Sequence, residues 1–127
     1  MKYLFFILFT CFYSHNSFSD WKHMYQDKKF DEWYLDFTKI HRINDHVFYQ
    51  TLVDHNDNKI FPSSITHNQG DCNTFEWKIT HISFFKSGMA EEYLSTKKTN
   101  DEFQKIEDDS ILGYLLGVVC NNTLKNK

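Results

Sequence analysis

Through the middle of this chain, apolar and polar residues alternate in short runs separated by turn-forming residues. The run "YLDFTKIH" (34–41) puts Leu35 and Phe37 on one face and Tyr34 and Ile40 on the other. Asn44-Asp45 then supplies turn chemistry. "HVFYQTLVDH" (46–55) is rich in β-branched and aromatic residues, with Val47, Tyr49, Thr51 and Val53 facing one way. After a polar loop at 56–59, Pro62 places "IFPSSITH" (60–67) at the start of a strand or along a sheet edge, because proline donates no ladder hydrogen bond. "NQGD" (68–71) reads as a turn into Cys72.

The longest alternating run is "TFEWKITHISFFKS" (74–87). Phe75, Trp77 and Ile79 share one parity, whereas Ile82 and Phe84 take the other. That change near His81 predicts a bulge, or a strand centre buried on both faces. "AEEYLSTKK" (90–98) is a further strand, and residues 20–33 form a polar lead-in with at most one helical turn. The pattern then changes period. Asp108, Asp109 and Ser110 offer N-cap oxygens ahead of "ILGYLLGVVC" (111–120), where Ile111, Leu112, Leu115, Leu116 and Val119 recur at helical spacing. Gly113 and Gly117, four apart, suggest close approach of this helix to a sheet. Each glycine costs about 1 kcal/mol of helix propensity relative to alanine, so packing must offset it. The expected fold is α+β: a single antiparallel sheet of about five to six strands with a C-terminal helix packed on it.

The N-terminus has a different character. Lys2 precedes eleven mostly apolar residues, Tyr3 to Tyr13, and Ser17-Phe18-Ser19 gives small residues at the first and third positions before Asp20. This matches a secretory signal over residues 1–19, leaving 20–127 as one domain. The apolar run is shorter than the roughly 20 residues a bilayer span needs. In a second reading, Cys11 in "LFTC" is the lipidated first residue of a lipoprotein. Either way the protein is exported, to the periplasm or the cell surface. Removing Lys2 leaves 13 basic against 17 acidic residues, with Arg42 the one arginine, which argues against nucleic acid as a partner.

Export also bears on the cysteines. Without Cys11 two remain, Cys72 and Cys120, and an even count in an exported chain reads first as a disulfide. It would tether the end of the helix to the middle of the chain. The chemistry of a catalyst is missing from the sequence: no glycine-rich phosphate loop, no G-x-S-x-G and no paired-cysteine redox motif. The reading is therefore no enzyme, no catalytic residues and no cofactor. His23, His41, His46, His55, His67 and His81 lack the short spacing of metal ligands, so no metal is expected. His41 and His46 flank a turn and could converge across a hairpin, and the set makes surface charge pH-sensitive near neutrality. Aromatics are abundant, with 13 Phe, 7 Tyr and 3 Trp. Trp77 is assigned to the core. Tyr49, Phe84 and Tyr93 form either an exposed patch for partners or the second side of a two-sided core.

In order along the chain, several features resemble the bacterial surface-adhesin protein E-like family. They are Tyr34 and Asp36, "VFYQTLVDH", Ser63-Ser64, Asp71-Cys72, "FEWKITHISFFKSGM", then Phe103, Ile106 and Ser110 ahead of a helix ending "VVC". Departures from the family pattern are Phe103 for tryptophan, Glu107 to Asp109 for proline or glycine, and glutamate for a glycine soon after Met89. The resemblance implies a non-catalytic module of the cell envelope that binds host extracellular-matrix or serum proteins. The alternative is a soluble periplasmic structural or stress-type protein with no external ligand, for which a homodimer through a sheet edge is one arrangement.

Overall fold

The computed structural model describes residues 19–99 and 101–124; the expected signal segment up to Phe18, with Cys11, lies outside them. Eight strands and one helix make up the fold: β1 (Trp21–Gln26), β2 (Glu32–Asp36), β3 (His41–Ile43), β4 (His46–Asp54), β5 (Ser63–Asp71), β6 (Glu76–Phe85), β7 (Tyr93–Lys98), β8 (Gln104–Lys105) and α1 (Ile111–Leu124). All pairings are antiparallel, in the order β1-β2-β4-β5-β6-β7, with β3 also on β4 and β8 also on β6.

Eight strands exceed the expected five to six, for three physical reasons. The lead-in at 20–33 contains β1, whose burial repeats every third residue (Trp21, Met24) and so hides its period of two. The run 34–41 is interrupted at Asp36, whose fully buried carboxylate accepts from Thr38 N at 3.0 Å and from Asp20 N at 3.1 Å. Those bonds cap a 3-10 turn at Phe37–Lys39 and split the run into β2 and β3, both paired with β4. The third is β8, two residues long.

"NQGD" is not a turn; β5 runs through it to Asp71. Its polar residues are accommodated inside. Asn68 is buried, donates to Thr51 Oγ1 at 3.0 Å, and accepts from Trp77 Nε1 at 2.9 Å. Each buried polar group thus has a partner, which removes the penalty of burying it. Gly70 lies under the helix: a Cβ there would come within 2.4 Å of Leu116 Cδ1. The parity change in β6 is a bulge, because His81 pairs with His67 and Ile79 with Asn68, leaving Thr80 unpaired between them.

One face of the sheet carries α1. Leu35, Val47 and Tyr49 of the sheet close on Leu115, Leu116 and Val119, with Trp33, Phe75 and Trp77 packed around them. Burying each such side chain contributes about 1.5–3 kcal/mol. Ser110 is the N-cap, accepting from Gly113 N at 3.0 Å. At the other end Cys120 is bridged to Cys72, with their Cα atoms 5.8 Å apart. Arg42 Nη1 donates to Thr123 Oγ1 at 3.1 Å and to Cys120 O at 3.5 Å, where the helix carbonyls favour a cation. Among the described residues no helix is long and apolar enough to cross a membrane.

Candidate functional site

Strand register brings one end of the sheet together. Gln26, Glu32, Asp54, Ser63, Phe85 and Tyr93 form one row of paired residues across six strands. The loops 27–31, 55–62 and 86–92 all leave the sheet from that row. The first two are tied by Asn56 N donating to Asp31 Oδ1 at 2.8 Å; the third is tied to the start of β5, where Ser63 Oγ donates to Ser87 O at 2.6 Å and accepts from Ala90 N at 2.9 Å.

Asp27 organises the first loop by accepting from Lys29 N, Asp31 N and Trp33 Nε1. Burial raises its carboxyl pKa, but these hydrogen bonds outweigh that and hold it below the usual range. Large apolar side chains then project from the loop tips. Ile60 is 73% exposed, Phe30 64%, Tyr93 62% and Met89 39%. Lys28, Lys29 and Lys59 stand beside Phe30 and Ile60 around an open depression of about 800 Å³. Four of the six non-glycine residues with positive φ among the described residues lie at the same end, Phe30, Met89, Ala90 and Glu92, with φ between 56° and 65°; Asn44 and Phe75 lie elsewhere. Non-glycine residues pay for that region, and such strain collects at binding sites.

The three aromatics singled out in the sequence separate. Tyr49 is a correction: it is buried at 4% exposure beneath α1, and burial pushes its phenol above the usual range. Phe84 is half-buried and packs on Phe61, ring centroids 4.8 Å apart. Tyr93 is exposed at the loop end, its ring 6.0 Å from Phe85. Phe30, Ile60 and Met89 were missed. Their signal in the sequence is an isolated apolar residue inside a lysine-flanked polar loop, as in "DKKFD" and "NKIFP".

A second concentration lies on the face turned away from α1. By register, His23, His41, His46, His67 and His81 all project there. His41 does not converge on His46; it pairs with Phe48, while His46 pairs with Ile43. His67 and His81 stack, centroids 3.7 Å apart and planes 18° from parallel. Burial, then the neighbouring charges of His81 and Lys39, push His67 down to about 4. Among the described residues no group of three or more His, Cys, Asp or Glu is placed to hold a metal ion.

That depression has a pH consequence. Between pH 6.5 and about 4 the unfolded chain binds a proton at position 67 that the folded chain refuses, so stability is full above 6.5 and falls toward pH 4. Discounted for partial exposure, the loss is about 1 kcal/mol, or roughly 4–8 °C in Tm. Thermal melts at pH 7 and pH 5 should show that His67→Gln flattens this fall; an unchanged slope would locate the acid sensitivity elsewhere.

Comparisons with known proteins agree with this architecture. The family described as surface-adhesin protein E matches residues 21–121. Protein E of Haemophilus influenzae, in its selenomethionine form, superposes with a TM-score of 0.62 at 12% identity, covering 79% of this chain and 86% of that one. A second crystal form of the same protein gives 0.61 at 12% identity, covering 80% and 87%. No curated protein matches the sequence.

Proposed function

The chain belongs to the surface-adhesin protein E family, and we propose that residues 20–127 form an exported, non-enzymatic binding module of the bacterial cell envelope. It engages a host or extracellular protein through the loop end of its sheet. The observation that carries this reading is the set of exposed Phe30, Ile60, Met89 and Tyr93 at one end of the sheet, where hydrogen bonds hold the first loop to the second and the third loop to Ser63 of β5. Aromatic and apolar anchors held on a rigid frame dominate protein interfaces, because they bury area at little entropic cost. Lys28, Lys29 and Lys59 share the rim with Asp31 and Asp57, which gives it charges of both signs for orienting a partner. Export by the N-terminal signal, with or without a lipid on Cys11, places the module where such a partner is met.

The test is binding to an array of purified extracellular-matrix and serum proteins, using the wild type and the triple variant F30S/I60S/Y93S. Saturable binding to at least one member, weakened more than tenfold in the variant at unchanged Tm, is expected. Equal binding by both proteins would remove the loop end as the site. A second reading, a periplasmic protein pairing with its own copy, draws on β7, an outer strand whose six residues are all exposed. Lys97 and Lys98 on that strand oppose edge-to-edge pairing. Sedimentation tests the pairing: a monomer at micromolar concentration removes the homodimer form of this second reading.

A further inference from the structure

The histidine face contains a hollow of about 340 Å³, separate from the loop end. Four residues able to carry positive charge line it, Lys39, His41, His67 and His81, together with the polar groups of Gln50 and Thr80. No aspartate or glutamate is among its lining residues. In register, Lys98 of β7 stands opposite His81 on the same face and adds to the positive field. Lys39 Nζ donates to Ser19 Oγ at 3.0 Å and stands 4.0 Å from Asp36, whose carboxylate is already committed to Thr38 and the backbone of Asp20.

Hydrogen bonding orients the pair. Thr80 Oγ1 donates to His67 O at 3.2 Å, so its contact with His81 Nδ1 at 3.1 Å is one in which the hydroxyl accepts. That contact turns His81 Nδ1 toward Thr80 and leaves Nε2 as the ring nitrogen without a partner in this network. Two stacked imidazolium rings repel each other unless a negative group lies between or beside them.

We propose that this hollow is a binding site for an oxyanion group, a carboxylate or a sulfate, that tightens as the histidines take up protons. Lys39 supplies the permanent charge, and His67, held neutral down to about pH 4 in the free protein, takes up its proton when an anion lies beside it. Gln50 adds a neutral amide donor. The bound anion favours the charged form of each imidazole, so anion binding and proton uptake are linked. This site is independent of the loop end: neither depends on the other's residues.

The ring-proton NMR signals of His67 and His81 report on it directly. The protein is titrated at pH 5.5 and pH 7.5, at constant ionic strength, with sodium sulfate in one arm and sodium acetate in the other. Saturable shifts are expected at pH 5.5, with affinity weaker by up to about a hundredfold at pH 7.5 if one full proton is taken up on binding. Lys39→Gln weakens binding severalfold, and His67→Gln or, as a second variant, His81→Gln abolishes saturation at the remaining ring. His23→Gln, on the same face but outside the hollow, leaves it unchanged. Saturation by sulfate alone assigns the site to sulfated sugars, and by acetate alone to acidic side chains. Linear shifts in both arms, or saturation that ignores pH or survives loss of Lys39 and His67, would overturn the proposal.

Discussion

Replacing both bridge cysteines, C72S/C120S, should lower the thermal midpoint by about 20 °C. The bridge closes a loop whose ends are 48 positions apart. In the chain-entropy model such a loop is worth about 4 kcal/mol, and a domain of this size moves roughly 4–8 °C per kcal/mol. Two further contacts depend on the same point. Arg42 reaches Cys120 O and Thr123 Oγ1, so the arginine loses its fixed target when the helix end is released. The helix itself should survive, because Leu115, Leu116 and Val119 remain buried against Leu35, Val47 and Tyr49. The expected result is a much less stable domain with native-like far-UV circular dichroism. A loss of only a few degrees would mean that core packing alone holds α1 in place.

The two helix glycines should respond to alanine with opposite signs. Propensity alone predicts a gain of up to about 1 kcal/mol at either position. At Gly113, however, a Cβ would sit 2.1 Å from Glu107 O and 3.1 Å from Ile106 Cγ2. Backbone must move to admit it. Glu107 O also accepts from Ser110 Oγ at 2.6 Å and from Ser110 N at 3.1 Å, so moving that carbonyl undoes the N-cap as well. Overpacking costs about 1–3 kcal/mol and a lost cap about 1 kcal/mol more. Gly113→Ala should therefore be destabilising by about 2 kcal/mol net. At Gly117 nothing lies within 4 Å of the added carbon, and Gly117→Ala should stabilise by up to about 1 kcal/mol. Melting curves of the two variants decide it; a shared sign would mean that the helix does not meet the preceding loop as described.

That contrast also shows what sequence spacing can and cannot carry. The interval from Gly113 to Gly117 suggested one close approach to a sheet. Instead Gly113 meets the loop before its own helix, Gly117 meets nothing, and the residue that lets the helix down onto the sheet is Gly70 of β5. A helix period reports which residues share a face, not what lies opposite. Strands were legible where burial alternates cleanly, as along β4, and where a fixed parity broke, as at Thr80. Asp36 was invisible as a strand breaker, because a buried capping carboxylate looks like any polar position in an alternating run.

The sites follow the same logic. Tyr93 stood out as an exposed aromatic, whereas Tyr49, of equal standing in the sequence, lies beneath the helix. Phe30, Ile60 and Met89 are separated by about thirty residues each, and only the row from Gln26 to Tyr93 places them at one end of the sheet. The histidine face was equally hidden. Register determines which parity of each strand shares a side, and the bulge at Thr80 reverses that parity between Ile79 and His81.

Export and closure of the Cys72–Cys120 bridge are conditions for every binding role described above. Both are read at once from the intact mass of the protein recovered from an exporting bacterial host, before and after reduction and alkylation. The expected product begins at Asp20, is two hydrogens lighter than its reduced form, and takes two alkyl groups only after reduction. A lipid-modified chain beginning at Cys11 with the same bridge would keep the module and anchor it. A chain that retains its first nineteen residues, or one whose two thiols alkylate without reduction, would contradict an exported domain held closed at Cys120.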